Sequence, residues 1–235
     1  MEVNLIVDTS VGPVHCKYCD RKSSDVIIMI HGLGGTRNSL FYRDLAVNAT
    51  KSTCRFDFPG HGNSPGIAEI QYGKQALLVR QLKLFLQQTY NCASFTLVGH
   101  SKGATVAILA ADHRDTVISL AGRLHLSFQP KNRYSPEQLA KIEQGETLQM
   151  TFGRSVYFIN KDSFEERKQL EGVVVQKVKE AVDVVIVHGS ADEVINCEES
   201  RELAKMIGKD CFIVEDRGHS DITWNDVKEY LGKWV

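Results

Sequence analysis

Residues 95–110 read FTLVGHSKGATVAILA, and this stretch decides the fold. An apolar run typical of a buried strand leads into Gly99-His100-Ser101-Lys102-Gly103, and small residues that favour a helix follow. A Gly-x-Ser-x-Gly sequence between a strand and a helix is the pattern of a nucleophile elbow, a sharp turn with the serine at its apex. Glycine avoids clashes in such a turn, and the helix N-terminus faces the place where negative charge develops in acyl transfer. The stretch therefore predicts that Ser101 is a nucleophile.

Length and composition are those of an ordinary globular protein. The chain has 235 residues, of which 43% are hydrophobic and 24% are charged, and its formal net charge is −1. This length is most economically one domain, residues 1–235, with a full hydrophobic core. Because a nearly neutral chain offers no strong field to nucleic acid or an anionic membrane, we expect a small-molecule partner and neither of those. Protein partners stay open.

The first eight residues, MEVNLIVD, have neither the basic segment nor the apolar segment of a signal peptide. No apolar run reaches the roughly 18 residues that span a membrane. We therefore expect a cytoplasmic protein whose six cysteines are reduced. Cys16 and Cys19 form a C-x-x-C pair, but they lie in a predicted strand, where residues three apart face opposite sides. We expect neither a metal nor a cofactor.

Apolar runs alternate with amphipathic segments through most of the chain, which predicts strands alternating with helices. The predicted strands are residues 2–8, 13–19, 25–30, 52–58, 95–98, 116–120, 182–187 and 211–214. The pattern predicts an α/β protein with a mostly parallel eight-stranded sheet and helices on both faces. Among the helices, we expect one capped by Asn38 and running to about Thr50, and one over residues 163–180 with an interruption near Gly172.

Residues 124–181, the cap segment, depart from this alternation. Residues 148–159 alternate around Gly153 and predict a β-hairpin. We therefore expect a small cap inserted between the sixth and seventh strands of the sheet.

A serine nucleophile needs a base, and the base needs an acid that orients it. In elbow folds these residues follow in the order Ser, Asp, His. Asp192 follows the seventh predicted strand, and His219 follows the eighth in a glycine-containing loop. Both lie at carboxyl ends of strands, the edge where α/β sheets carry their sites. The order and the edge predict Ser101, Asp192 and His219 as a catalytic triad, with His31 and His188 in structural roles.

A tetrahedral oxyanion needs two hydrogen-bond donors. The backbone N–H of Lys102 follows the nucleophile directly, which makes it the first candidate. The second is the N–H of Leu33 in His31-Gly32-Leu33-Gly34-Gly35, the oxyanion loop, which follows the third predicted strand. Its glycines allow close approach to a bound substrate.

Four blocks in this order resemble the α/β-hydrolase superfamily, over essentially the whole chain. They are residues 31–35, residues 57–64 (DFPGHGNS), residues 99–103, and residues 188–192 together with Gly218-His219. Within the superfamily the chain is similar to small cytosolic esterases grouped with serine aminopeptidase S33-like hydrolases and cinnamoyl or feruloyl esterases. The resemblance implies a serine hydrolase that cleaves carboxylic esters through an acyl-enzyme.

Two alternatives are enzymes, a thioesterase and a serine aminopeptidase-like hydrolase, and a third is a small-ligand receptor with slow turnover. An aminopeptidase would need a carboxylate to hold the free amine of its substrate. The acidic candidates in the cap segment are Glu143, Glu146, Asp162, Glu165 and Glu166.

The small cap predicts esters with short or medium acyl or aryl-acyl groups, because part of the segment must close the crossover between two parallel strands. Little chain remains to build a long lipid tunnel. Some of the aromatic residues of the segment should face Ser101, and they are Phe128, Tyr134, Phe152, Tyr157, Phe158 and Phe164.

Overall fold

The computed structural model describes residues 2–127, 133–180 and 182–235. An eight-stranded sheet forms its centre, and its strands are β1 (Glu2–Val7), β2 (Val14–Cys19), β3 (Asp25–Ile30), β4 (Ser52–Phe56), β5 (Ser94–His100), β6 (Thr116–Leu120), β9 (Asp183–Gly189) and β10 (Cys211–Val214). A separate hairpin is made by β7 (Leu148–Phe152) and β8 (Ser155–Ile159). The helices are α1 (Tyr42–Asn48), α2 (Tyr72–Tyr90), α3 (Lys102–Ala110), α4 (Pro136–Glu143), α5 (Lys161–Glu180), α6 (Cys197–Ile207) and α7 (Trp224–Leu231).

The strand order in the main sheet is β1-β2-β4-β3-β5-β6-β9-β10. Strand β2 runs antiparallel to both of its neighbours, and the six strands from β4 to β10 are parallel to one another. The predicted mostly parallel, eight-stranded sheet is therefore confirmed. Because β3, β5, β6 and β9 are parallel neighbours, their carboxyl ends meet at one edge of the sheet.

Helices cover both faces of the sheet, and strand β3 shows how the sequence divides the core between them. Successive side chains on a strand point to opposite faces. Val26, Ile28 and Ile30 accordingly join the apolar cluster under α2, α3 and α5, whereas Ile27 and Met29 join the cluster under α1 and α7. A strand buried on both sides must be apolar throughout, as this one is.

The cap segment connects β6 to β9 and contains α4, the β7–β8 hairpin and α5. The predicted hairpin is confirmed, with Leu148 paired to Ile159 and Phe152 to Ser155 across a turn at Gly153. Helix α5 packs against α3 and α2 and carries the chain back to β9.

Two details of the helices differ from the prediction. Asn38 caps no helix, because α1 begins at Tyr42 and the Asn38 side chain accepts a hydrogen bond from the Arg55 guanidinium instead. Helix α5 continues through Gly172 without interruption, since its tertiary packing outweighs the low helix propensity of one glycine.

Cys16 and Cys19 lie on strand β2, where both are buried and free. The described ranges contain no group of three or more His, Cys, Asp and Glu side chains arranged to hold a metal ion. None of the helices in those ranges is both long and apolar enough to cross a bilayer.

Candidate active site

Ser101 occupies the sharp turn between β5 and α3. Its backbone has φ 54° and ψ −121°, a strained conformation for a residue with a side chain. A Cβ atom on Gly99 would collide with the Gly103 carbonyl, and one on Gly103 would collide with the Ile30 carbonyl. The two glycines of the motif are thus required by backbone packing, and they hold the serine at the carboxyl edge of the sheet.

The structure brings the three residues of the predicted triad into one hydrogen-bonded chain. His219 Nε2 lies 2.9 Å from Ser101 Oγ, and His219 Nδ1 lies 2.7 Å from Asp192 Oδ2. With Nδ1 protonated, the ring donates to the carboxylate, and Nε2 is left to accept the serine proton. The side chain of Asp192 is fully buried and that of His219 is 15% exposed.

The carboxylate of Asp192 is held in its ionised form. Burial by itself raises its pKa, but hydrogen bonds from His188, His219 and the Ile195 N–H outweigh burial and hold the pKa well below its usual range. Its Oδ1 accepts from the N–H groups of Val194 and Ile195, both at 2.8 Å. A buried anion with these partners can stabilise a positive charge that develops on His219.

His188, predicted to be structural, contacts the acid directly. Its Nε2 is 3.0 Å from Asp192 Oδ2 and 3.0 Å from the Ile195 carbonyl, and its Nδ1 accepts from the Ser200 hydroxyl at 2.6 Å. The His188 imidazole thus holds the Asp192 carboxylate in place, and that carboxylate in turn orients the His219 imidazole. The sequence carried no sign of this role, because it depends on the path of the loop after β9.

His100 is a further residue that sequence reasoning missed. Its Nε2 donates to the backbone carbonyl of His219 at 2.7 Å, and its ring lies 4.9 Å from the His219 ring. Burial, followed by the charge of His219, lowers its pKa to about 4, so the ring is neutral at pH 7. His100, which stands between Gly99 and Ser101 in the elbow motif, therefore holds the loop that carries His219.

The two predicted oxyanion donors lie beside the nucleophile. Leu33, Ser101 and Lys102 line the same cavity, and a Cβ on Gly32 would lie 3.1 Å from the Cβ of Ser101. Within the described part of the chain, neither the Leu33 N–H nor the Lys102 N–H is used in another hydrogen bond. Lys102 is also the first residue of α3, where the helix dipole favours negative charge.

Tyr157 of strand β8 connects the hairpin to the oxyanion loop. Its hydroxyl accepts from the Gly34 N–H at 2.8 Å and donates to Nε2 of His61, whose Nδ1 donates to the Pro59 carbonyl at 2.9 Å. Burial lowers the pKa of His61 to about 4, and the neutral ring can therefore accept this hydrogen bond. Burial alternates along β8, and Tyr157 lies on its inward face.

A small cavity of about 40 Å³ lies against Ser101, between the sheet edge and the cap segment. At roughly 10–15 Å³ for each water, it holds about three water molecules. Its described lining residues are Leu33, Ile70, Tyr72, Ser101, Lys102, Arg123, Arg133, Tyr134, Arg167, Val194 and Ile195. Larger surface clefts exist elsewhere, but none of those found in the described residues contains Ser101.

The Lys102 side chain is buried in this region without a hydrogen-bond partner among the described residues. Its Nζ lies 5.1 Å from the centre of the Phe58 ring, a cation–π contact. Burial lowers its pKa to about 7. Lys102 thus places a backbone N–H donor beside Ser101. Its buried side-chain amine has a cation–π contact but no hydrogen-bond partner among the described residues.

Of the aromatic residues of the cap segment, Tyr134 lines the cavity and Tyr157 lies under the oxyanion loop. Phe158 is 43% exposed on the outer face of the hairpin, and Phe164 packs edge-on against Tyr134. Phe128 lies outside the described residues.

None of the acidic candidates of the cap segment lines the cavity. Glu166 accepts from the N–H groups of Tyr72 and Gly73 at the start of α2, and Glu165 pairs with Lys168. Glu143, Glu146 and Asp162 are exposed.

Comparison with known proteins places this geometry in context. A family model described as alpha/beta hydrolase fold matches residues 25–130. The sequence has no significant match among curated proteins. Est1E from Butyrivibrio proteoclasticus, whose structure is also known with bound ferulic acid, is 17% identical with a TM-score of 0.75 over 98% of each chain.

Two further solved structures share the architecture. A monoacylglycerol lipase from Paleococcus ferrophilus is 17% identical with a TM-score of 0.71, over 94% of this chain and 97% of that one. The esterase Pf2001 from Pyrococcus furiosus is 14% identical with a TM-score of 0.67, over 100% of this chain and 88% of that one. At these identities the likeness concerns the fold, and it extends over nearly the whole chain.

Proposed function

We propose that this chain, which has the α/β-hydrolase fold, is a serine hydrolase that cleaves carboxylic esters with short or medium acyl or aryl-acyl groups. The observation that carries the proposal is the hydrogen-bonded chain from Ser101 through His219 to Asp192, which ends beside a cavity. Three solved relatives of the fold are named as an esterase, a lipase and a protein that binds ferulic acid. These names support an ester substrate and do not identify one.

In the proposed reaction, Ser101 Oγ attacks the ester carbonyl while His219 Nε2 accepts its proton. The N–H groups of Leu33 and Lys102 stabilise the oxyanion of the tetrahedral intermediate. His219 then donates the proton to the departing alcohol, which leaves an acyl-enzyme on Ser101. Water, deprotonated by His219, hydrolyses this intermediate, and Asp192 holds the imidazole in the required tautomer throughout.

The size of the cavity favours the short end of the proposed acyl range. Each methylene that gains apolar contact adds about 0.8 kcal/mol of binding, and that gain stops where the cavity ends. We therefore expect kcat/KM to rise over the first few acyl carbons and then to fall.

The lining of the cavity argues against an aminopeptidase. A free amine would need a carboxylate partner, and no Asp or Glu is among the described lining residues. The ester and thioester alternatives both remain compatible with this lining. Parallel assays on an ester and a thioester of the same acyl group separate them.

The proposal is tested by labelling the protein with a fluorophosphonate and by measuring turnover of 4-nitrophenyl esters from acetate to palmitate. The wild type should be labelled, whereas Ser101→Ala should not, and His113→Ala serves as a control because His113 is exposed and remote from the triad. Turnover should be greatest for short esters. Labelling without turnover would favour the slow receptor, and a maximum at long chains would contradict the small cavity.

A further inference from the structure

Two lysines in the described part of the chain are buried, and they differ in what their amines contact. Lys83 and Lys102 are each 5% exposed. Lys83 forms ion pairs with Asp112 and Asp115, whereas the Lys102 amine has no hydrogen-bond partner among the described residues. A buried amine without a partner costs free energy, because it gives up its hydrogen bonds to water and gains none in return. The burial of Lys102 therefore requires a physical reason.

The groups around the Lys102 amine do not supply the missing acceptor. Its Nζ lies 5.1 Å from the centre of the Phe58 ring, which attracts a cation but offers no lone pair to an N–H group. Burial, followed by the charge of Lys102, lowers the pKa of His61, so this histidine is a neighbour of the amine. Both ring nitrogens of His61 are already used, one by the Tyr157 hydroxyl and one by a backbone carbonyl. Those of His31, whose ring lies 4.8 Å from that of His61, contact a backbone carbonyl and a backbone N–H.

Lys102 also lines the cavity beside Ser101, where a bound molecule can supply the acceptor. The cavity of about 40 Å³ has room for a short acyl group with one polar atom. The flexible four-carbon stem of a lysine allows its amine to reach an atom of such a group. No Asp or Glu is among the described lining residues, so no carboxylate of the cavity wall competes for the amine.

A hydroxyl oxygen is the acceptor that fits this amine. Burial lowers the pKa of Lys102 to about 7, so charged and neutral forms are both present near neutral pH. The amine keeps N–H donors in either form. A hydroxyl can accept a hydrogen bond from both forms and can donate one to the neutral form, whereas a carboxylate would require the charged form.

We propose that the substrate is an ester of a short hydroxy acid, and that the Lys102 amine binds the hydroxyl of its acyl group in the cavity beside Ser101. The inference rests on the proposed ester hydrolysis at Ser101 and adds a substrate class to it. Lys102 then serves the acyl group twice, since its backbone N–H binds the carbonyl oxygen and its side chain binds the hydroxyl. Holding both oxygens positions the carbonyl carbon at the nucleophile.

The test compares esters of nearly the same shape that differ in one hydroxyl. The 4-nitrophenyl ester of lactic acid is paired with that of 2-methylpropanoic acid, and the ester of 3-hydroxybutanoic acid with that of 3-methylbutanoic acid. In each pair a hydroxyl replaces a methyl group, and both enantiomers of each hydroxy ester are assayed. The rate with Ser101→Ala is subtracted, and each kcat/KM is divided by the rate constant for hydroxide, which corrects for the reactivity of the ester itself.

We expect the corrected kcat/KM to favour the hydroxy ester about tenfold or more in one of the two pairs, because a site built to bind a hydroxyl rejects the analogue that lacks it. The favoured pair shows which carbon carries the hydroxyl. Lys102→Met keeps the backbone N–H and removes the amine, so it should reduce the preference to about one. Lys102→Gln keeps a donor and should retain part of the preference. Lys228→Met, which removes an exposed lysine of α7, should leave it unchanged.

A wild-type preference of about one in both pairs, with the esters turned over, would overturn this inference and leave the proposed hydrolysis standing. The same holds if Lys102→Met slows both esters of a pair equally, which would indicate a purely structural role for the side chain. Absence of turnover for all four acyl groups would instead overturn the proposed function.

A binding measurement tests the inference without catalysis. Methyl lactate and methyl 3-hydroxybutanoate, at concentrations up to their solubility, are added to Ser101→Ala beside the methyl esters of 2-methylpropanoic and 3-methylbutanoic acid. One hydroxy ester should raise the melting temperature more than its partner, and Lys102→Met introduced into that variant should remove the difference. Equal effects of the paired esters, or a difference that survives Lys102→Met, would contradict the assignment.

Discussion

The sheet edge and the cap segment line the same cavity, but they differ in the charged groups that they hold there. At the edge, the buried carboxylate of Asp192 is surrounded by His188, His219 and two backbone N–H groups. On the side of the cap segment, Arg133 and Arg167 face a cavity in whose described lining there is no carboxylate. The edge thus surrounds a buried anion with hydrogen-bond donors, whereas the cap side places guanidinium groups at the cavity wall.

In the proposed hydrolysis, the chemical step and part of the selection of substrate reside in different parts of the chain. The proposed acyl transfer belongs to the strained elbow and to the hydrogen-bonded pair of Asp192 and His219. The cap segment contributes Arg133, Tyr134 and Arg167 to the cavity beside Ser101. The following predictions test the two sides and the contact between them, with Lys83 as a comparison from another part of the fold.

The largest effect should come from Ser101→Ala. We expect a loss of about 10⁴- to 10⁶-fold in ester hydrolysis, because the nucleophile is removed while the fold remains. Steady-state kinetics measures the loss, and circular dichroism checks the fold. A folded variant with more than about a tenth of wild-type activity would refute the assignment of the nucleophile.

His219→Ala and Asp192→Asn should each reduce kcat severely, by roughly 10⁴-fold for the acid, because the base would lose its proton-accepting tautomer. Combining either with Ser101→Ala should add little, since members of a triad act as one unit. Losses that multiply in the double variants would show that these residues are not partners. His113→Ala serves as the matched histidine control.

Lys102 and Lys83 are both buried, and they provide a test of stability. Lys83 forms ion pairs with Asp112 and Asp115, whereas Lys102 has no hydrogen-bond partner among the described residues. Burial lowers the pKa of Lys102 from 10.5 to about 7. Between these pH values the unfolded state binds more protons than the folded state, so the free energy of unfolding should rise with pH in this window.

The comparison of the two lysines uses methionine substitutions. Lys102→Met should stabilise the protein at pH 7 by an amount on the order of a few kcal/mol, since each pH unit of difference corresponds to about 1.4 kcal/mol. The gain should vanish near pH 10.5. Lys83→Met should destabilise, because it leaves two carboxylates without their cation. Urea denaturation at pH 7 and pH 10 measures both, and equal effects of the two substitutions would contradict the difference in pairing.

The smallest effect should come from Tyr157→Phe, which removes one hydroxyl between the β7–β8 hairpin and the oxyanion loop. The Gly34 N–H would lose its acceptor, and the loop that carries Leu33 would be held less firmly. We expect kcat to fall about fivefold with little change in KM, consistent with one lost hydrogen bond of about 1 kcal/mol. Tyr230→Phe, on α7 and stacked on Phe212, is the control. A change in KM alone would indicate that Tyr157 contacts substrate instead of the loop.

The sequence was informative where a local pattern carries a steric or periodic requirement. The elbow glycines, the apolar strand β3 and the alternating hairpin strands could all be identified, because each satisfies a condition that neighbouring residues impose. The starting residue of α1 and the continuity of α5 could not be identified in the same way. The Asn38 side chain accepts a hydrogen bond from Arg55 instead of capping the helix. Packing of α5 on α3 outweighed the low helix propensity of Gly172.

The sequence by itself determined the order of the strands along the chain, the elbow at Ser101 and the candidates Asp192 and His219. These follow from spacing and from the edge at which parallel strands end. Only the tertiary structure decided that His188 and His100 support the proposed triad, that Tyr157 contacts the oxyanion loop and that three arginines share one cavity. Such contacts join residues far apart in the chain, where no periodicity or motif relates them, and they arise only when the cap segment packs over the sheet edge.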